Sequence, residues 1–326
     1  MGEPIVSIQC MVYNHEPYLR QCLDGFVMQK TNFKFEAIVH DDVSTDGSAA
    51  IIHEYAEKYP DIIKPIFETE NQYSKKDGSL MKIMNSACKG KYIALCEGDD
   101  YWIDPLKLQK QVDFLEKNLE YTMCCSDAII KGDFLEYDWS RYSNNQSIPT
   151  EDMILGGGLF VQTATLLFRN YLLRNDIYPE FAKKCHVGDY PLQIFAALEG
   201  KVFWFAEKQC VYRFEAANSW TKKNNTLELE ARLKSLHSEI DMLQGMDLYS
   251  HNKYSASFRK RQAYSVHNLL LAHHSNYKVI REEFEDVFMM FNWRQRLDTF
   301  FIKMRCPLFV KINNRINKIL TNFFNK

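Results

Sequence analysis

The 326-residue chain lacks the features that would make it a membrane, fibrous or disulfide-framed protein. It has no run of about 18 or more apolar residues, so no segment reads as a bilayer-spanning helix. Thirteen Gly and nine Pro are too few for a collagen-like or low-complexity architecture. The opening stretch MGEPIVSIQCMVYNHEPY has no charged segment followed by an apolar one, so it does not read as a secretory signal. Val6 stands where N-myristoylation would want Ser or Thr. No CxxC pair occurs among the nine Cys, which suits free buried thiols in a reducing cytosol rather than a disulfide frame or a zinc site. An excess of one charge is also missing: 40 Lys and Arg face 42 Asp and Glu, so the whole chain is no general polyanion binder. No Gly-rich loop of the P-loop or dinucleotide type is present.

What is there is an ordinary globular composition, 46% hydrophobic and 25% charged, enough to bury a sizeable core. The first half alternates strand-like and helix-like segments. Strands are predicted over 4–10, 35–40, 62–67, 92–96 and 121–125. Helices are predicted over 17–29, 49–59, 80–88 and 105–118, each with an apolar face at helical spacing. This alternation predicts an α/β fold, a mostly parallel sheet flanked by helices. Residues 226–291 read as two or three further helices, including 227–243 and 255–273. Residues 293–326 carry eight Lys or Arg and one acid, a net of +7, which leaves −9 on the rest of the chain.

In parallel sheets ligands bind beyond the carboxyl ends of the strands. Two such ends carry adjacent acids: Asp41-Asp42 in the run Asp41 to Ser48, and Asp99-Asp100 in Glu97-Gly98-Asp99-Asp100-Tyr101-Trp102. Neighbouring carboxylates repel unless a cation or hydrogen-bond donors share them. Oxygen-only ligands suit Mg²⁺ or Mn²⁺ held together with a ligand's phosphates. Taken singly, each pair is weak. Asp46 and Asp104 read most simply as helix caps, and Asp189 opens a helix as its cap, its base, or both. Two acidic pairs after neighbouring strands, with Tyr13-Asn14 after the first strand, form a more specific pattern.

These stretches resemble family 2 glycosyltransferases with the GT-A fold. The resemblance is carried by VSIQCMVYNHEPYLRQCLDGFVMQ, FEAIVHDDVSTDGS and GKYIALCEGDDYWIDPLKLQKQVDFLE, then by GLFVQTATLLFR, HVGDYPLQIFAALEGKV and VYRFEAANSW. It covers residues 4–220 in the family's order and is nearest to bacterial enzymes that build surface polysaccharides. It implies a GT-A (Rossmann-like) domain over 1–220; periodicity and charge add a helical extension over 221–292 and a basic amphipathic tail over 293–326. It implies that Tyr13 lies against a nucleotide base, Asp42 hydrogen-bonds that base, and Asp99 holds the ribose and diphosphate region. Asp100 is then the ligand of a divalent cation, Mg²⁺ or Mn²⁺, and Asp189 the catalytic base of an inverting transfer. Tyr190 departs from the second acid that the family often places there, and Glu215 stands where related enzymes commonly have His.

Around these, Gln162, Thr163 and Thr165 border an acceptor pocket or form a plain strand. Trp102 walls the sugar pocket or packs under it. His186 and Tyr190 sit beside Asp189 in sequence, where they can orient it or line the pocket. Arg213 meets the diphosphate or forms a structural ion pair. The implied partners are a nucleotide-sugar, with a UDP-sugar the leading donor, and a saccharide or lipid-linked acceptor. The basic tail, with apolar and basic residues alternating over 308–324, reads as a segment for a membrane surface rather than for nucleic acid. That places the chain in the cytoplasm, peripheral to the inner face of the cell membrane. A nucleotidyltransferase and a non-catalytic nucleotide- or carbohydrate-binding relative are the competing classes. The first would want a Gly- and Lys/Arg-rich loop that residues 10–18 lack; the second would not need all four acids.

Overall fold

The computed structural model of the chain describes residues 2–132, 135–158, 160–174, 177–214, 216 and 228–304. Glu215, Cys306 and the 308–324 segment of the tail lie outside them. Contacts divide the chain into two units, residues 1–183 with 187–226, and residues 184–186 with 227–326.

The first unit opens with β1 (Val6–Val12), α1 (Glu16–Val27), β2 (Phe35–Asp41), α2 (Ser48–Lys58) and β3 (Ile63–Phe67). It continues with α3 (Gln72–Lys75), α4 (Ser79–Ala87), β4 (Tyr92–Leu95), β5 (Tyr101–Trp102) and α5 (Lys107–Lys117). Then come β6 (Tyr121–Lys131), β7 (Glu136–Trp139), β8 (Gln146–Ile148) and α6 (Thr150–Gly156). The unit closes with β9 (Leu167–Arg169), α7 (Glu180–Lys183), α8 (Asp189–Glu199) and β10 (Lys201–Arg213).

Among the described residues these strands form one sheet in the order β3-β2-β1-β4-β9-β6-β10-β5, with β7 on β6 and β8 on β10. β3, β2, β1 and β4 run parallel, as do β6 and β10; β9 lies antiparallel between β4 and β6. β1 is buried along nearly its whole length, as a central strand covered on both faces must be. Its polar residues are satisfied internally: Ser7 Oγ donates to Glu36 Oε1 (2.7 Å) and Gln9 Nε2 to Asn85 Oδ1 (3.0 Å). Gly90 passes so close that an added Cβ would lie 2.4 Å from the Ser7 backbone nitrogen. The core joins β1, β2 and β4 to α1, α2 and α5 through Ile8, Cys10, Phe26, Val39, Ile52, Ala94 and Leu115.

Through α5 the predicted elements fall within about two residues of their expected ends, but β6 runs to Lys131, six residues past the expected end at 125, and the short α3 is additional. β5 and β7 to β10 are additional. β10 escapes the alternation rule because Glu207, Lys208 and Gln209 interrupt it where its register against β6 shifts. Residues 163–165 make a single 3₁₀ turn, and the strand beyond it begins at Leu167.

The second unit is helical: α9 (Leu229–Tyr249), α10 (Ser255–Ala272), α11 (Tyr277–Glu283), α12 (Glu285–Met289) and α13 (Trp293–Lys303). Leu236, Ile240, Val266, Leu270, Ile280, Phe284 and Ile302 form its core. All eight described Cys are free thiols. Among the described residues, no helix is long and apolar enough to cross a membrane.

Candidate active site

The parallel strands bring their carboxyl ends to one edge. Val12 lies opposite Asp41, and the loop after β4 runs beside the end of β1, the Gly98 N–H donating to the Met11 carbonyl (3.1 Å). After β1, Tyr13 is 40% exposed and Asn14 takes the left-handed conformation (φ 57°) that Asn tolerates. The Asn14 N–H donates to Ser44 Oγ (2.9 Å), and its Oδ1 accepts from the Thr45 N–H (2.7 Å). Asp46 completes this seam between the two loops, accepting from the N–H groups of Glu16 (3.0 Å) and Ser48 (2.9 Å). Burial pushes its carboxyl up, but these hydrogen bonds outweigh that and hold it below the ordinary value. Asp46 is therefore a loop cap. Asp104 is not the cap of α5, which is Leu106; it closes the preceding turn, accepting from the Leu106 N–H (2.9 Å).

Asp42 is buried and spends its carboxylate on the chain itself. Oδ1 accepts from the Gln72 N–H (2.6 Å) and Oδ2 from the Tyr73 N–H (3.0 Å), so it caps α3. Each carboxylate oxygen can accept a further bond. Its neighbour Asp41 accepts from the Ser44 N–H (3.2 Å) through Oδ2, while Oδ1 is buried without a hydrogen bond among the described residues.

The turn after β4 gathers Glu97, Asp99 and Asp100, each offering an oxygen within 4.8 Å of the others. A turn closed by the Asp100 N–H on the Glu97 carbonyl (3.0 Å) puts the three side chains together. Asp100 is 1% exposed, and its Oδ1 accepts from the Arg213 backbone N–H (2.8 Å). Burial, then the charge of Asp99, push Asp100 well above the ordinary carboxylate value, and the Arg213 N–H only partly opposes this. Burial raises Glu97 to about 8, with added repulsion from Asp99 and Asp189. The Arg213 guanidinium donates to the Asp99 carbonyl and to Gln21 Oε1, and lies over the rings of Tyr101 (4.5 Å) and Tyr18 (5.0 Å). Arg213 thus braces the acidic turn; its guanidinium bonds reach a carbonyl and an amide.

Asp189 begins α8. Its Oδ1 accepts from the Tyr190 N–H (2.8 Å) and its Oδ2 from Thr163 Oγ1 (3.3 Å). Burial raises its carboxyl, and these two donors moderate the rise. Its charge adds, after burial and Asp99, to the rise of the Glu97 carboxyl.

The remaining candidates divide. Trp102, 2% exposed, packs under the site: its Nε1 donates to the Ala164 carbonyl (2.8 Å) and its ring meets Phe26 edge-on. Beneath it Lys107 is fully buried, donates to Gln111 Oε1 (2.8 Å), and is lowered to about 8 by burial. Tyr190 is also core rather than pocket lining, its hydroxyl donating to the Ile154 carbonyl (2.6 Å). Gln162 is buried and anchors the 3₁₀ turn through its carbonyl, which accepts from the Thr165 N–H (2.9 Å) and hydroxyl (2.7 Å). Thr163 is the member of that turn that reaches Asp189. His186 belongs to the helical unit, its N–H donating to Ser238 Oγ (2.9 Å). Glu97 is the residue that sequence reasoning passed over; its signal was the Glu-x-Asp-Asp spacing.

An oxygen-only set of three close carboxylates, two of them pushed up by burial and mutual repulsion, fits a hard divalent cation.

Comparisons with known proteins bear on the family and the fold. An uncharacterised Mycobacterium tuberculosis protein is 35% identical over 222 residues, 66% of this chain and 60% of its own length. The chain thus spans about 60% of the length of that relative. A putative teichuronic acid biosynthesis glycosyltransferase, TuaG of Bacillus subtilis, is 32% identical over 113 residues, 35% of this chain and 42% of its own. Among solved structures, S. aureus TarS 1–349 with UDP-GlcNAc matches 93% of this chain and 88% of its own at 14% identity and TM-score 0.56. The mannosyltransferase PcManGT of Pyrobaculum calidifontis, with GDP-Man and Mn²⁺, matches 95% and 87% at 13% identity and TM-score 0.54. These two share its fold, the GT-A fold. The model described as glycosyl transferase family 2 matches residues 7–175, more than half the chain, and the chain belongs to that family.

Proposed function

We propose that the protein transfers a sugar from a nucleotide-sugar, a UDP-sugar foremost, to a hydroxyl of a saccharide or lipid-linked acceptor in the synthesis of a cell-surface polysaccharide. The observation that carries this reading is the convergence of Glu97, Asp99 and Asp100 at one strand end. Relatives and structural neighbours support it, one described as a teichuronic acid biosynthesis glycosyltransferase and others binding UDP-GlcNAc or GDP-Man with Mn²⁺.

In this reading Tyr13 lies against the base and Asp42 accepts one of its N–H groups beside the α3 cap. Glu97, Asp99 and Asp100 together would hold a Mg²⁺ or Mn²⁺, extending the role that sequence assigns to Asp100 alone. Such an ion supplies charge stabilisation to a departing nucleoside diphosphate. Arg213 keeps the acidic turn in place. Asp189 takes the proton of the acceptor hydroxyl, a poor nucleophile near neutral pH, and Thr163 orients the carboxylate. Attack from the side opposite the diphosphate inverts the anomeric carbon.

A thermal-shift panel of nucleotide-sugars with Mn²⁺ tests the donor class. The true donor should raise Tm by mass action, by RT ln(1 + [L]/Kd) in free energy, and do so far less without the ion. A flat panel would remove the sugar-nucleotide reading.

A further inference from the structure

α13 is built inside out. Two of its polar residues face the helical unit: Gln295 is buried and its Nε2 donates to the Ala263 carbonyl (3.2 Å), and Asp298 is buried with Oδ2 3.2 Å from His267 Nε2. Most of its large apolar residues face out. Trp293 is 69% exposed, and Leu297, Phe300 and Met304 are exposed beside it. Steps of four, three and four residues put these side chains within roughly 60° of one another on a helix turning about 100° per residue. Ile302, on the opposite side, enters the apolar core, and the partly buried Phe301 packs against it. Met289 at the end of α12, 73% exposed, extends the patch, because Arg296 Nη2 ties its carbonyl to α13 (3.1 Å).

The exposed charges of α13 itself have one sign, whereas α12 carries exposed Glu285 and Asp286 one turn before Met289. Arg294 flanks one side and Arg296 and Lys303 the other, all exposed. The single acid of residues 293–326 is Asp298, which is turned inward against His267. Residues 305–326 add Arg305, Lys311, Arg315, Lys318 and Lys326 and no acid. A second copy of the same face would bring like charges together at an isologous contact. A nucleic acid would leave the apolar stripe without a partner. An anionic lipid surface satisfies both, taking the apolar side chains at the headgroup–acyl boundary and pairing the flanking cations with headgroups.

We propose that the outer face of α13 docks on an anionic membrane surface, with Trp293, Leu297, Phe300 and Met304 inserted and Arg294, Arg296 and Lys303 at the headgroups. This stands apart from the sugar-transfer reading, since vesicle binding needs no catalysis. The test is co-sedimentation of the full chain with phosphatidylglycerol–phosphatidylcholine vesicles. Binding should be at least about tenfold weaker to phosphatidylcholine alone, and salt should weaken it. The triple variant Trp293→Ser/Leu297→Ser/Phe300→Ser should lose at least about tenfold in affinity with its melting unchanged, because these side chains are exposed. Vesicles should shift wild-type tryptophan emission to the blue, and Trp293→Phe should remove that shift. A wild type left in the supernatant, a triple variant that binds like wild type, or a dimer that the triple variant dissociates would each overturn the proposal.

Discussion

Replacing Asp189 with Asn is expected to lower kcat for sugar transfer by about 10²–10⁴-fold with nucleotide-sugar affinity unchanged. The amide is isosteric, so its oxygen still accepts one of the bonds now made by the Tyr190 N–H and Thr163 Oγ1. What it cannot do is take a proton. The wild-type pH profile carries the same information. Burial raises the Asp189 carboxyl, so activity should climb with pH as this group ionises and then level off. The climb should vanish in Asp189→Asn. Thr163→Val removes a donor that holds the carboxyl down, so it should move the climb to higher pH while leaving the plateau largely intact. A uniform loss of rate at all pH values in Thr163→Val would instead mark a packing role. Measuring kcat and KM from pH 5 to 9 separates the outcomes.

The second large effect concerns the acidic turn, and its sign reverses with added metal. A carboxyl raised by folding contributes stability below its ordinary value and loses it as pH rises through the raised value. For Glu97 that window runs from 4.5 to about 8, and Asp100 shifts in the same direction. The metal-free protein should therefore lose stability from this turn as pH rises toward 8. Mn²⁺ competes with those protons, so its stabilisation should be larger at pH 8 than at pH 6. Glu97→Gln removes one repelling charge. It should melt higher than wild type at pH 8 without metal, yet bind Mn²⁺ at least about tenfold more weakly. Melting curves of both proteins at the two pH values, with and without Mn²⁺, check all four signs. A Glu97→Gln protein that gains as much from Mn²⁺ as wild type would remove Glu97 from the cation's shell.

Which parts of this were legible in the amino-acid order follows from the range of the forces involved. Asp41-Asp42 and Asp99-Asp100 stand out because a parallel sheet sends every post-strand residue to one edge. The local roles of Asp46 and Asp104 are legible because they bond N–H groups two residues away, although they close turns before α2 and α5 while Gly47 and Leu106 are the cap residues. Glu97 is harder to see. The turn that swings it toward Asp99 and Asp100 is held partly by the end of β1, some 85 residues earlier in the chain, through the Gly98–Met11 bond. Trp102 and Tyr190 look like pocket aromatics in a polar stretch. Their burial is set by Phe26, Ala164 and Ile154, which local pattern does not reveal. His186 lies three residues from Asp189, yet Ser238 draws it into the other unit. The tail reads as amphipathic, but which way α13 faces is decided by Gln295 on Ala263 and Asp298 on His267. In each case the missing information is a long-range partner.

The central idea is that one divalent cation, bound with a nucleoside diphosphate, sits among Glu97, Asp99 and Asp100 within reach of Asp189. Anomalous scattering from Mn²⁺ in crystals grown with UDP tests it most directly. The account predicts a peak at coordination distance, about 2.0–2.3 Å, from oxygens of that turn, with the Asp189 carboxylate facing the diphosphate across an open acceptor space. A peak elsewhere on the molecule, or UDP bound away from the ends of β1, β2 and β4, would contradict it.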